Sequence, residues 1–161
     1  MDGSVLAPAE RAFLDALNAL GVRFIVVGMS AALLQGATGA TQDIDLWFED
    51  SSDARIAEAA RRAGGFYAMA SFGLRPPVLG GDALGDRFDV VVHMHGLGSF
   101  EEEWKSTREA VVDGVPLRVL SLPRIIASKQ ATGRPRDRAQ IPALEEALAA
   151  VEDGDDPAAR K

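Results

Sequence analysis

Apolar residues recur along this chain at two periods, and the order in which the periods alternate predicts a mixed α/β domain. Apolar side chains at helical spacing indicate an opening helix that Gly21 ends, and the β-rich run that follows, bounded by glycines, indicates a buried strand. The predicted elements are helix 8–20, strand 22–27, helix 30–35, strand 43–48, helix 51–63 capped by Ser51 or Ser52, edge strand 66–70, a loop over 72–87, strand 87–93, a hairpin of 110–112 and 116–120, and helices 122–131 and 136–151.

Length and composition fit one domain with its own core. The chain has 161 residues, of which 47% are hydrophobic and 25% charged. We expect a mixed central sheet flanked by helices, with two C-terminal helices, over residues 1–151. Residues 152–161 are predicted to be a disordered acidic tail.

The chain composition excludes several classes of site. There are no cysteines, which rules out a disulfide scaffold or a zinc-thiolate site. The start lacks the basic and apolar regions of a signal peptide, and no apolar run reaches the ~20 residues of a membrane span, so we expect a cytoplasmic protein. A net charge of −7 argues against electrostatic coating of nucleic acid. The segment 118–138 is nevertheless basic, which suits a small anionic ligand or a solvated helix face.

Two carboxylates, Asp43 and Asp45, flank one apolar residue in the predicted strand 43–48. Alternate residues of a strand point to the same face, about 6.5 Å apart. Grouping that much negative charge is costly unless a cation lies between the carboxylates. The pair therefore predicts a magnesium or manganese site. A solvated strand end is the plainer interpretation, although the strand is mostly apolar.

Two further features extend this site. Gly28 ends a buried strand just before a helix, and the backbone N–H groups at a helix start favour anions such as phosphate. A third carboxylate, Asp89, begins the apolar run 88–92, where packing gives no reason for a charge. Asp86 is a nearby competitor for the same role.

Together these motifs resemble the nucleotidyltransferase superfamily that includes DNA polymerase β. The resemblance is carried by residues 27–36, residues 41–46 with Asp43-Ile44-Asp45, and the segment 128–137, which contains Lys129 and Gly133-Arg134-Pro135. It spans roughly residues 22–148 and is similar to the small bacterial branch of AbiEii-type toxins and minimal nucleotidyltransferases of toxin–antitoxin pairs. The resemblance implies a nucleotidyltransferase fold.

The resemblance also implies an activity, namely transfer of a nucleoside monophosphate from a nucleoside triphosphate (NTP) to a hydroxyl, with release of pyrophosphate. The acceptor would be tRNA, a protein or a small molecule such as an antibiotic, and a tRNA acceptor would imply a toxin with a cognate antitoxin. The implied roles are magnesium or manganese binding by Asp43 and Asp45, second-metal binding or proton abstraction by Asp89, phosphate binding by Gly28, Ser30 and Lys129, assistance by Arg134, and orientation of a cation by Asp137.

One position departs from that pattern, and other residues keep open interpretations. Met29 stands where the family usually has Gly or Ser, so Ser30 would serve one place later. This departure supports an alternative, a catalytically inactive module of the same fold that binds a nucleotide or a protein partner. His93 and His95 share a face with Asp89 by alternation, and are either acceptor-binding or ordinary polar residues.

Three smaller questions concern the role of Trp47, a possible ion pair between Arg134 and Asp137, and two rival families. Trp47 is either a packing residue or a base-stacking one, and Arg134 with Asp137 could form a plain ion pair. Haloacid-dehalogenase phosphatases require Thr or Val where this chain has Trp47. Glycosyltransferases with an Asp-x-Asp motif are usually larger and lack a glycine turn so close upstream.

Overall fold

The computed structural model describes residues 5–39, 41–69 and 76–153. Within them, helices and strands follow the mixed order that the sequence predicts. The elements are α1 (Pro8–Ala19), β1 (Phe24–Val27), α2 (Gly28–Leu34), β2 (Ile44–Phe48), α3 (Ala54–Arg62), β3 (Phe66–Ala68), β4 (Val78–Gly80), β5 (Phe88–Val91), α4 (Phe100–Trp104), β6 (Thr107–Val112), β7 (Val115–Leu120), α5 (Leu122–Thr132) and α6 (Pro135–Glu152).

The strands form one mixed seven-stranded sheet in the order β3-β4-β5-β2-β1-β7-β6. β1 pairs antiparallel with β2 and parallel with β7, while β2 pairs parallel with β5. The β6–β7 hairpin turns at Asp113 and Gly114, both with positive φ, as the sequence predicts for this dipeptide. The residues of the central strands β1 and β2 are almost wholly buried.

Helices cover both faces of the sheet. Phe13 of α1 packs edge-on against Phe88 of β5, with ring centroids 5.1 Å apart. Since neighbouring strand residues point to opposite faces, Asp89 points away from α1. On that second face Trp47 contacts Phe100 of α4, also edge-on at 5.4 Å. Trp47 is buried, so the packing interpretation holds for it.

Several element boundaries differ from the predictions. The cap of α3 is Asp53, whose carboxylate accepts from the Arg55 N–H; Ser51 and Ser52 do not cap it. The predicted loop over 72–87 contains a short strand, β4; residues 72–75 of that loop, and residue 70 of the predicted edge strand, lie outside the described residues. α2 begins at Gly28, two residues before its predicted start at Ser30.

The C-terminal helices form a hairpin, as predicted. Gly133 ends α5 with a left-handed φ of 63°, and α6 starts two residues later. Glu152 is the last residue of α6, and 154–161 of the predicted tail lie outside the described residues. Among the described residues, no helix is long and apolar enough to cross a membrane.

Candidate active site

Three carboxylates from separate sequence positions line one cavity of about 330 Å³, namely Asp43, Asp45 and Asp89. Asp45 and Asp89 are direct register partners in the parallel strands β2 and β5. Asp43 immediately precedes β2. Pairing of the two strands therefore brings together acids that lie 44 positions apart in the sequence.

Gly28 lies at the end of β1, beside Asp45. Val27 of β1 is the register partner of Asp45, so the backbone leaves the strand next to the acids. Gly28 has a φ of 65°, and a Cβ built on it would collide with the Asp45 carboxylate. Both the left-handed backbone and the close approach require glycine at this position.

The negative charges of the three acids, together with burial, raise the pKa values of Asp45 and Asp89. Burial, followed by the charges of Asp89 and Asp43, raises the pKa of Asp45 to about 6, although the cations Lys129 and Arg136 oppose the shift. Burial, the Asp43 charge and a hydrogen bond with the Asp43 carboxyl raise the pKa of Asp89. The fold thus concentrates negative charge that a proton or a cation must offset.

The donor set fits a hard divalent cation. Carboxylate oxygens are the ligands that magnesium and manganese prefer, and two of these carboxyls, on Asp43 and Asp89, are in hydrogen-bond contact. Among the described residues, no three His, Asp or Glu side chains have the spacing of a formed metal site. The fit therefore rests on donor chemistry and on the repulsion among the acids.

The α5–α6 hairpin supplies a cationic wall to the same cavity, through Lys129, Arg134 and Arg136. Asp137 holds two of these cations. It accepts from Lys129 Nζ at 3.3 Å and from Arg134 Nε at 2.6 Å, and Thr132 Oγ1 donates to it at 2.6 Å. The ion pair predicted between Arg134 and Asp137 is therefore present, and it is part of a larger cluster.

The Asp137 side chain is 5% exposed. Burial by itself would raise its pKa. The hydrogen bonds from Thr132 and Arg134, with the Lys129 charge and hydrogen bond, outweigh burial and lower the pKa of Asp137 to about 2. Asp137 is thus ionised at neutral pH and fixes the two cations at the cavity wall.

Ser30 has a different place from the one its predicted phosphate role requires. Its hydroxyl is buried, donates to the Val27 carbonyl at 2.8 Å and accepts from the Asp45 N–H at 3.2 Å. Met29, not Ser30, is among the residues that line the acid cavity. Ser30 therefore ties the start of α2 to the backbone of β2.

Several cavity residues had no predicted role, or an open one. His93 and His95 follow β5, line the cavity and contact each other edge-on at 4.9 Å. Arg136 and Gln140 of α6 also line it. The basic composition of 118–138 included Arg136, but nothing local in the sequence distinguishes Gln140.

Comparisons with known proteins identify the fold. No family model and no curated protein matches the sequence. The crystal structure of ANT(2'')-Ia with adenylyl-2''-tobramycin superposes with a TM-score of 0.57 at 19% identity, covering 88% of this chain and 86% of that one. The solution structure of the antibiotic-resistance factor ANT(2'')-Ia gives 0.58 at 19% identity, with 89% and 82% covered.

A third solved structure agrees. An antigenic nucleotidyltransferase-like protein from Paracoccidioides brasiliensis gives a TM-score of 0.52 at 14% identity, with 91% of this chain and 87% of that one covered. At these identities the likeness shows the fold. The chain has the nucleotidyltransferase fold, which confirms the predicted fold class.

Proposed function

We propose that the protein is a nucleotidyltransferase that uses magnesium or manganese to move a nucleoside monophosphate from an NTP to a hydroxyl acceptor. One observation carries the proposal. Three carboxylates, two on adjacent strands and one just before β2, line one cavity with a cationic helical wall in a nucleotidyltransferase fold. Carboxylates are suitable ligands for the metal, and cationic side chains are suitable partners for the triphosphate. The acidic side and the basic side of the cavity therefore match the two groups that this reaction brings together.

In this proposal Asp43, Asp45 and Asp89 would hold the metal. Bound divalent ions would neutralise charge on the phosphates and on the attacking oxygen. Gly28 lines the cavity beside Asp45, where a Cβ would collide with the carboxylate, and its backbone would face the phosphates of the NTP. Ser30 contributes indirectly, because its hydroxyl already fixes the amide of Asp45.

The cations Lys129, Arg134 and Arg136 bind the triphosphate, and Asp137 keeps the first two in place. The acceptor hydroxyl oxygen forms a bond to the α-phosphorus, and the bond from that phosphorus to the β-phosphate bridging oxygen breaks. Pyrophosphate leaves with the electron pair. Asp89, which lines the cavity and is exposed, would accept the hydroxyl proton.

We propose a small hydroxyl-bearing molecule as acceptor. The support is the fold shared with ANT(2'')-Ia, whose crystal structure contains adenylyl-2''-tobramycin. The net charge of −7 also favours a small acceptor over a nucleic acid. A tRNA or protein acceptor would instead fit the toxin branch with a cognate antitoxin, and the experiment separates these sources.

The test incubates the protein with magnesium and each NTP labelled at the α-phosphate. Separate reactions contain aminoglycosides, total tRNA or a bacterial protein extract. We expect label to move to an aminoglycoside, with loss of at least 100-fold in Asp43→Asn and Asp45→Asn. The matched control is Asp82→Asn, an exposed acid outside the acid cavity. Label that moves only to tRNA or to protein would contradict the proposed small-molecule acceptor but still support the proposed reaction.

The inactive module is the second candidate, since Met29 lines the cavity beside Gly28. It predicts that NTP binds but that no label moves to any acceptor. Folded wild-type protein that binds no NTP, with or without magnesium, would refute the proposed function.

A further inference from the structure

His93 and His95 are exposed residues whose imidazole rings contact each other edge-on, with ring centroids 4.9 Å apart. Both residues line the cavity that contains the three acids. Neither ring forms a hydrogen bond or an ion pair with another residue in the part of the chain that the structure describes. A neutral imidazole has one ring nitrogen that donates a hydrogen bond and one that accepts. The pair therefore presents polar ring atoms for which the described residues supply no hydrogen-bond partner.

The backbone that carries the two histidines is held against the core and against α5. Met94, between the histidines, is buried, and its carbonyl accepts from the Leu97 N–H at 3.3 Å. Gly96 has a φ of 76°, and a Cβ built on it would collide with Ala131 of α5. The loop is thus packed in place by apolar contacts, whereas its imidazoles add no polar contact to the fold. Polar side chains presented in this way are suited to contact a ligand.

The sheet determines on which side of the acids the histidines lie. Asp45 and Asp89 are register partners on β2 and β5, and Gly28 follows β1 on the other side of β2. In an in-line displacement the attacking and leaving oxygens lie on opposite sides of the phosphorus. With the phosphates beside Gly28, the acceptor would therefore approach from the β5 side, where Asp89 would take its proton. The loop with the two histidines continues directly from β5.

We propose that His93 and His95 bind the acceptor, and that the acceptor is a saccharide or similar polyol with a second hydroxyl beside the reacting one. This inference rests on the proposed nucleotidyl transfer and adds the class of acceptor and the residues that select it. A hydroxyl both donates and accepts hydrogen bonds, so neighbouring hydroxyls match two adjacent imidazoles. The three acids nearby would repel an anionic acceptor, whereas hydroxyl groups carry no charge.

The test uses aminoglycosides, tobramycin among them, as acceptors and measures the KM of each substrate in the label-transfer assay. His93→Ala and His95→Ala should each raise the KM for the acceptor by about tenfold, as expected for one lost hydrogen bond, and leave the KM for NTP unchanged. His93→Asn and His95→Asn keep a donor and an acceptor and should recover part of the loss. The matched control is Val92→Ala, an exposed residue outside the cavity lining, which should behave as wild type.

A second comparison tests recognition of the neighbouring hydroxyl. The labelled product identifies the hydroxyl that reacts, and a deoxy analogue of the acceptor lacks the hydroxyl beside it. Wild type should prefer the full acceptor by about tenfold, and the double variant His93→Ala/His95→Ala should lose this preference. Without acceptor, calorimetry should give the same NTP affinity for the double variant and wild type. Both proteins should also unfold at the same temperature, because the imidazoles form no hydrogen bond within the described fold.

Four results would overturn the inference. They are an unchanged acceptor KM in both single variants, an equal rise in the KM for NTP, survival of the hydroxyl preference in the double variant, and a lower unfolding temperature that accounts for the loss. Wild type that labels tRNA or protein but no aminoglycoside would also overturn it, while the proposed reaction would stand. Wild type that binds no NTP would refute the proposed function as well.

Discussion

Replacement of Asp45 by Asn should abolish nucleotidyl transfer and, in the absence of metal, stabilise the protein at neutral pH. The loss of activity and the gain in stability have the same cause, the negative charge of Asp45. Asp45 is held beside Asp43 and Asp89 in a half-buried position, so its ionised form is unfavourable in the folded state. Asn has nearly the same shape but cannot ionise, and the repulsion disappears with the charge.

The magnitude follows from the pKa of Asp45, which rises from the ordinary 3.8 to about 6. Between these values the folded state binds more protons than the unfolded state, so stability falls as pH rises from about 4 to 6. Above that window the full penalty applies, at most about 3 kcal/mol. Since the carboxyl lines an open cavity, solvent screening reduces the expected gain in Asp45→Asn to roughly 1–2 kcal/mol at pH 7.5.

The assay is urea unfolding with a chelator at pH 7.5 and pH 4. The gain should be present at pH 7.5 and absent at pH 4, where Asp45 is protonated in the folded protein. Magnesium added at pH 7.5 should stabilise wild type and leave the variant unchanged. Asp82→Asn, at an exposed position, is the control and should show no gain.

Two results would contradict this reasoning. A destabilised Asp45→Asn at pH 7.5 would mean that the carboxylate makes a favourable contact that outweighs its repulsion. An equal gain at both pH values would mean that the effect comes from packing and not from charge.

Three further substitutions test the rest of the site. Gly28→Ala should lower both stability and transfer, because the left-handed φ costs about 1–2 kcal/mol and the new Cβ would collide with Asp45. The control is Gly85→Ala, where φ is 57° and the Cβ would meet no other atom, so that only the backbone strain is added. Equal effects of the two variants on transfer would show that the collision with Asp45 does not matter. Asp137→Asn should cost about 2 kcal/mol at pH 7 by urea unfolding and raise the KM for NTP. The Asp137 contribution is complete above about pH 4 and is lost as pH falls towards 2, so a difference that persists at pH 2 would contradict the assigned cause. Ser30→Ala should cost about 1–2 kcal/mol by urea unfolding, and unchanged stability would show that its two hydrogen bonds contribute nothing.

Local pattern was sufficient to predict much of the acid side of the site. The alternation around Asp43 and Asp45, and the misplaced charge of Asp89, are visible in short windows of sequence. The pairing of Asp45 with Asp89 is not visible in this way, because neither stretch of sequence indicates which strands are neighbours in the sheet. The likeness to a known family supplied that information, and the fold agrees with it.

Elements that depend on their neighbours were harder to predict. β4 has three residues in a Gly- and Pro-rich stretch and exists because β3 and β5 flank it. The cap of α3 was predicted one or two residues early because Ser51, Ser52 and Asp53 are all good caps. Gln140 was missed because its position in the cavity depends on how α5 and α6 are docked, which helical periodicity does not record.

The parallel pairing of β2 and β5 also fixes the distance between the backbones of Asp45 and Asp89. Neighbouring strands lie about 4.8 Å apart in every sheet, and backbone hydrogen bonds maintain that spacing whatever the side chains are. The separation of the Asp45 and Asp89 backbones is therefore insensitive to substitution elsewhere in the core. Mutation of the helical wall can change the lining of the cavity, but it leaves the backbone separation of these two acids as it is. The helical side of the cavity can thus vary while the spacing of the acid backbones stays the same.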